Sequence, residues 1–268
     1  QGSLKHEYQA VRIPSRSPIG PVGVVAARQF VAGAVLLVLG RPCLRRLGGA
    51  DWAPIVGLAT AFSVMNLTLY VAIERIGLGL AVALEFLGPL AVAMLTSRRL
   101  LDALCAVVVG VGVWLVTDPG PSSDVLGIAA AMVAASMWAS YILLNRHLGR
   151  RLSGLQGPAV AGLLAGVAWI PVAVWWFSTH PPTWLALGLA AACGLLSSAV
   201  PYVADLLTLR RIPAHLFGTF MSVNPVLAAL AGWVMLGQVL AGREWLGIVL
   251  IVASNVVVTS HSSRIATK

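Results

Sequence analysis

The sequence predicts an all-α integral membrane protein, and three observations lead to this fold class. Hydrophobic residues make up 59% of the 268 residues and charged residues only 10%, whereas a soluble domain carries about 25% charged residues. The apolar residues are gathered into long runs, which short polar gaps separate. The net charge of +9 lies mostly in those gaps, as is usual in membrane proteins, so the basic composition does not indicate a nucleic-acid partner.

Nine apolar runs reach or approach the roughly 20 residues that a helix needs to cross the hydrocarbon layer. They cover residues 19–39, 53–73, 78–96, 100–117, 125–144, 157–177, 183–206, 214–236 and 243–260. Strands of a membrane barrel would alternate in polarity with period two, and these runs do not. The sequence therefore predicts nine helical spans in the lipid bilayer, with a polar tail at 1–18 and a C-terminal tail at 261–268.

The basic residues predict the orientation of these spans. When successive gaps are assigned to opposite sides, most arginines fall on one side, among them Arg41, Arg98, Arg146 and Arg210. The positive-inside rule makes this side cytoplasmic. We therefore expect a multi-pass protein with a cytoplasmic C-terminus and, since nine spans are predicted, an external N-terminal tail.

Two blocks of the sequence resemble each other when the chain is offset by 136 residues. The Arg-Ile pair at 75–76 aligns with the pair at 211–212, and Pro89 aligns with Pro225. These blocks belong to the third and eighth predicted spans. Because an odd number of steps separates the two spans, they cross the membrane in opposite directions, and the repeat is predicted to be inverted.

An inverted repeat is the architecture of many secondary transporters, whose substrate lies near the midplane where the repeats meet. The first unit is predicted at 19–117, with four spans, and the second at 125–260, with five. A proline inside a span removes a backbone hydrogen bond. We therefore expect helix breaks at Pro89 and Pro225.

Two charged residues lie deep within the predicted spans. Arg28 follows the start of the first span by nine residues, and Glu85 follows the start of the third by seven, which gives both a depth of about 10–14 Å. A charge at the bilayer centre costs about 2.5–3.5 kcal/mol. One interpretation is a neutralising ion pair that holds two helices together. In the other, Glu85 titrates or binds a cationic group and Arg28 binds a carboxylate; the two interpretations are compatible.

Neutral polar residues within the spans extend this candidate site. They are Asn66, Tyr70, Tyr141 and Asn224. Such side chains offer hydrogen bonds to a ligand, although they equally join helix to helix. The sequence has no nucleotide-binding loop, H-E-x-x-H or G-x-S-x-G motif, and no His/Cys spacing typical of a metal site. We therefore expect no enzymatic activity, metal or cofactor.

The segment 79–99, GLAVALEFLGPLAVAMLTSRR, resembles the signature stretch of the threonine/homoserine exporters. These belong to the EamA-type branch of the drug/metabolite transporter superfamily. Three further stretches support the resemblance: PVGVVAAR at 21–28, CGLLSSAVP at 193–201 and HLFGTFMSVNP at 215–225. The resemblance implies an inner-membrane exporter of small amino acids such as threonine and homoserine, driven by the proton gradient and working by alternating access.

The family pattern carries its acid onto Glu85, its arginine onto Arg28 and its helix breaks onto Pro89 and Pro225. The family has ten spans, and the first has no counterpart in this sequence, which indicates a truncated or misassigned start or a divergent member. The oligomeric state stays open between monomer and homodimer. Two other functions also stay open: efflux of another metabolite or a cationic drug, which Arg28 would repel, and a non-transporting scaffold subunit.

Overall fold

The computed structural model describes residues 19–42, 47–95, 100–117, 124–152, 155–196, 224–237 and 240–266, in which the regular elements are helical and no strand occurs. The helices in chain order are α1 Gly20–Gly40, α2 Gly49–Ile76, α3 Leu78–Glu85, α4 Leu87–Leu95, α5 Leu100–Thr117, α6 Val125–Gly149, α7 Gln156–Thr179, α8 Trp184–Gly194, α9 Asn224–Leu236 and α10 Gly242–Ala266. The predicted all-α fold is confirmed.

Each of the nine predicted spans contains at least one of these helices. Among the described residues, α1, α2, α6 and α7 are long and apolar enough to cross a membrane, and α8 and α9 are shorter apolar helices. The remaining parts of the seventh and eighth predicted spans, 197–206 and 214–223, lie outside the described residues. Many large apolar side chains face outward, as lipid contact requires; Trp184, for example, is 90% exposed.

The third predicted span consists of two helices, α3 and α4, separated by one residue. Phe86 ends α3 with φ −65° and ψ −10°, and its N–H still donates to the Val82 carbonyl at 3.1 Å. Pro89 is the third residue of α4. Because proline has no N–H, it cannot bond to the carbonyl of Glu85, four residues earlier. The break therefore precedes the proline by three residues, at the point where that bond is missing.

The predicted break at Pro225 lies at the edge of the described residues, which resume at Asn224. Pro225 is the second residue of α9. In the first turn of a helix a backbone N–H has no partner within the helix, so proline is well tolerated there.

Close approaches of the backbone at glycines set the positions of several helices. A Cβ on Gly33 of α1 would lie 2.7 Å from the carbonyl oxygen of Gly162 in α7. A Cβ on Gly88 of α4 would collide with the backbone carbonyl of Ala135 in α6. These contacts bring α1 against α7 and the second half of the broken span against α6.

Helices α2 and α6 form an antiparallel pair with an ion pair at each end. Arg75, near the end of α2, lies 3.0 Å from Asp124, which precedes α6. At the other end, Arg151 Nε lies 2.9 Å from Asp51 Oδ1. Asp124 also caps α6, since it accepts from the N–H of Gly127 at 2.8 Å. That bond, opposed by partial burial and aided by Arg75, lowers the pKa of Asp124.

Candidate functional site

Arg28 and Tyr70 form the centre of the candidate site. Arg28 lies on α1, and its Nη1 donates to the hydroxyl of Tyr70 on α2 at 2.8 Å. The centre of the guanidinium lies 5.3 Å from the centroid of the Tyr70 ring, within the range of a cation–π interaction. Tyr70 therefore holds the arginine in two ways, through its hydroxyl and through its ring.

A third helix, α8, packs against Arg28 and Tyr70 from one side. The Tyr70 hydroxyl lies 3.4 Å from Cys193 Sγ. A Cβ on Gly194 would lie 3.1 Å from the Cα of Arg28, so the backbone of α8 passes directly beside α1 at the arginine. The absence of a side chain at Gly194 allows this approach, which places Cys193 against Tyr70.

Glu85 is the last residue of α3 and stands immediately before the helix break. Its side chain is buried, with 6% of the residue exposed, and no described residue forms a hydrogen bond or an ion pair with it. Glu85 and Arg28 do not approach within the 4.0 Å of an ion pair, but the charge of Arg28 acts on the carboxylate.

The contact between α1 and α2 contains a second polar pair beside the first. Gln29, the residue after Arg28, is 6% exposed, and its Nε2 lies 3.5 Å from Ser63 Oγ on α2. Asn66 is buried between Ser63 and Tyr70 along α2. Its Nδ2 donates to the carbonyl of Phe62 at 2.8 Å.

The other two predicted residues, Tyr141 and Asn224, lie on α6 and α9. The ring of Tyr141 on α6 lies 5.2 Å from that of Phe62, centroid to centroid, and Tyr141 packs against a hydrophobic cluster of α2 and α7. Asn224 is exposed at the first position of α9. The structure therefore brings together Arg28 and Tyr70, with Asn66 one helical turn before Tyr70 on α2.

Sequence reasoning did not select Gln29, Ser63 and Cys193. A signal existed for Gln29, because a glutamine within an apolar span must satisfy its amide inside the protein. Ser63 and Cys193 carried no such signal, since both residue types are common in membrane helices. Among the described residues, no group of three or more His, Cys, Asp or Glu could hold a metal ion.

Comparisons with known proteins relate the chain to membrane transporters. A model of the EamA-like transporter family matches residues 125–260. The threonine/homoserine exporter RhtA of Salmonella typhimurium strain LT2 is 35% identical over 250 residues, which cover 88% of this chain and 81% of the exporter. RhtA of Escherichia coli strain K12 is 34% identical over the same shares of the two chains.

A more distant relative and a solved structure extend the comparison. The uncharacterized transporter YwfM of Bacillus subtilis strain 168 is 24% identical, over 90% of this chain and 84% of YwfM. One protein of known crystal structure is 20% identical and superposes with a TM-score of 0.59, over 94% of this chain and 92% of that chain. This last likeness supports the fold.

Proposed function

The chain belongs to the EamA-like transporter family, and from this premise we propose that it exports small amino acids of the threonine and homoserine class. The observation that carries the proposal is the half-buried guanidinium of Arg28, which Tyr70 holds in place, together with the buried carboxyl of Glu85, which is 6% exposed. A zwitterionic amino acid would present its carboxylate to Arg28 and its ammonium to Glu85. The names of the 34–35% identical relatives supply the substrate class.

The chemistry of Arg28 suits a carboxylate. A guanidinium carries five N–H donors in a planar fork that matches the two oxygens of a carboxylate. One of these donors reaches the hydroxyl of Tyr70, which limits the directions in which the fork can point. A preset fork loses less rotational freedom when a substrate binds, so less of the binding energy is spent on ordering the side chain.

The chemistry of Glu85 supports coupling to protons. An ionised carboxylate near the bilayer centre costs about 2.5–3.5 kcal/mol, so the buried group gains from a proton or from a substrate ammonium. Proton and ammonium then compete for one carboxylate. A carrier of this kind exchanges the two between the sides of the membrane as it alternates between outward-open and inward-open states.

The proposed setting is a bacterial inner membrane with the C-terminus in the cytoplasm. The basic residues at the ends of the spans support this orientation through the positive-inside rule. Apolar cationic drugs are disfavoured as cargo because the positive charge of Arg28 would repel them.

The proposal is tested by counterflow of labelled homoserine and threonine in proteoliposomes, with and without an imposed pH gradient. We expect exchange by the wild-type chain that responds to the gradient. Glu85→Gln should abolish that response, and Arg28→Ala should lower exchange at least about tenfold, since hydrogen bonds to charged groups contribute about 1.5–3 kcal/mol.

Matched control variants separate these effects from a general loss of charge. Glu74→Gln and Arg75→Ala remove the same charges at exposed positions near the end of α2 and should leave exchange close to wild type. Unchanged export in both Glu85→Gln and Arg28→Ala would rule out the proposed site. A wild-type chain that exchanges neither amino acid and copurifies with a stoichiometric partner would support a scaffold role instead.

A further inference from the structure

The contact between α1 and α2 carries a row of polar groups that extends beyond the contact of Arg28 with Tyr70. Ser63, Asn66 and Tyr70 follow one another at intervals of three and four residues, which places them on one face of α2. Arg28 and Gln29 reach this face from α1, at Tyr70 and Ser63 respectively. The two contact points are seven residues apart, about 10 Å along the helix, and Asn66 lies between them.

The hydrogen bonds of Gln29 are incompletely used. The Ser63 hydroxyl donates to the carbonyl of Ala59 at 3.0 Å, so it can only accept from the Gln29 amide, and the distance of 3.5 Å is at the outer limit for such a bond. Within the described part of the chain, the amide oxygen of Gln29 accepts no hydrogen bond. The same holds for the amide oxygen of Asn66, whose nitrogen donates to Phe62.

Amide oxygens that find no partner among the described residues are costly in a membrane interior unless a water or a ligand reaches them. Both residues are more than nine-tenths buried, at 6% and 8% exposed. A buried amide without a complete set of hydrogen bonds is stabilised by a water or by a ligand. If the purpose of Gln29 were only to join α1 to α2, a shorter and better satisfied contact would be expected.

We infer that Gln29 and Asn66, supported by Ser63, recognise the side-chain hydroxyl of the transported amino acid. This inference rests on the proposed function, in which Arg28 and Glu85 hold the carboxylate and the ammonium. The amides offer a donor and an acceptor to a hydroxyl, which needs both. A site built this way rejects an analogue without the hydroxyl, because the buried amides are then left unpaired. Gln29, Asn66 and Ser63 thus select hydroxyl-bearing amino acids over aliphatic ones.

The test compares each hydroxy amino acid with an analogue in which the hydroxyl is absent, as in 2-aminobutyrate for homoserine, or replaced by a methyl group, as in valine for threonine. Counterflow of labelled homoserine is competed with unlabelled homoserine or 2-aminobutyrate, and that of labelled threonine with threonine or valine. The wild-type chain should prefer the hydroxy compound by roughly tenfold or more. In Gln29→Leu and Asn66→Leu this ratio should fall to about threefold or less, because a leucine offers no hydrogen bond to lose.

Two further variants keep the test decisive. Ser63→Ala removes a single oxygen atom and should lower the ratio even if the leucine variants fail to fold. Ser136→Ala removes a hydroxyl that is exposed on α6 and bonded to its own helix at 2.9 Å, and it should keep the wild-type ratio. An undiminished ratio in folded Gln29→Leu and Ser63→Ala would overturn the inference, as would a wild-type chain that transports both compounds equally. If the wild-type chain transports neither compound, the proposed function itself fails.

Discussion

At the scale of single residues, the arrangement of Arg28 depends on Tyr70. The tyrosine hydroxyl accepts from the arginine at 2.8 Å, and the ring faces the guanidinium. The hydroxyl also meets Cys193 at 3.4 Å. Of these contacts only the cation–π interaction survives replacement of the tyrosine by phenylalanine.

Tyr70→Phe should therefore weaken substrate binding without abolishing transport. Loss of one hydrogen bond to a charged group costs about 1.5–3 kcal/mol, so we expect the apparent KM for homoserine to rise at least about tenfold. Tyr70→Leu, which also removes the ring, should raise it further. Concentration-dependent counterflow in proteoliposomes measures both values. An unchanged KM in Tyr70→Phe would show that the hydroxyl does not orient the arginine.

The sequence was sufficient to single out Arg28, Glu85 and Tyr70 as polar residues within apolar runs, but not to predict the contact between Arg28 and Tyr70. A charge or a phenol in an apolar run is conspicuous, because the bilayer penalises it. Which partner it meets depends on how the helices are rotated and packed, as the contact of Arg28 with Tyr70, 42 residues away, illustrates. The role of Gln29 was hidden for the same reason, since its partner Ser63 is identified only by the packing of α1 on α2.

At the scale of helices, hydropathy predicted where the spans lie, and proline chemistry predicted that the third is broken. A run of about 20 apolar residues has no alternative to a helix in lipid, which is why α1, α2, α6 and α7 match their predicted spans within a few residues. The position of the break could not be derived as closely. It depends on which residue leaves the regular helix where the hydrogen bond is missing. This residue is Phe86, whose ring packs edge-on against Trp138 with centroids 4.7 Å apart.

The broken span also depends on Gly88, which allows α4 to pack against α6. A Cβ at this position would collide with the carbonyl of Ala135, which is backbone and cannot rotate away. Gly88→Ala should therefore push the two helices apart and lower the free energy of unfolding by about 1–3 kcal/mol, the usual cost of overpacking. The purified variant should then melt at a lower temperature. Gly110→Ala on α5 is the matched control, because a Cβ there meets no atom within 4 Å. Equal melting temperatures for the two variants would contradict this packing argument.

At the scale of the whole molecule, the ends of the long helices must lie on opposite sides of the membrane. Helix α7, with 24 residues, is about 36 Å long and exceeds the roughly 30 Å of the hydrocarbon core. Arg150 precedes it and His180 follows it, and both are exposed. Arg146 and Arg151 lie beside Arg150, so we expect this end in the cytoplasm from the positive-inside rule.

Single-cysteine labelling in intact cells tests this orientation. In a background in which the three native cysteines are replaced by alanine, His180→Cys should react with a membrane-impermeant maleimide applied from outside. Arg150→Cys should react only after the cells are permeabilised, because the bilayer shields it from the reagent. The reverse pattern would invert the molecule and assign Arg75 and Asp124, at the far end of the α2 and α6 pair, to the cytoplasm. Labelling of both positions from outside would mean that α7 does not span the membrane. The expected pattern places the N-terminus of α1, where Trp176 Nε1 donates to the Ile19 carbonyl at 2.7 Å, on the external side.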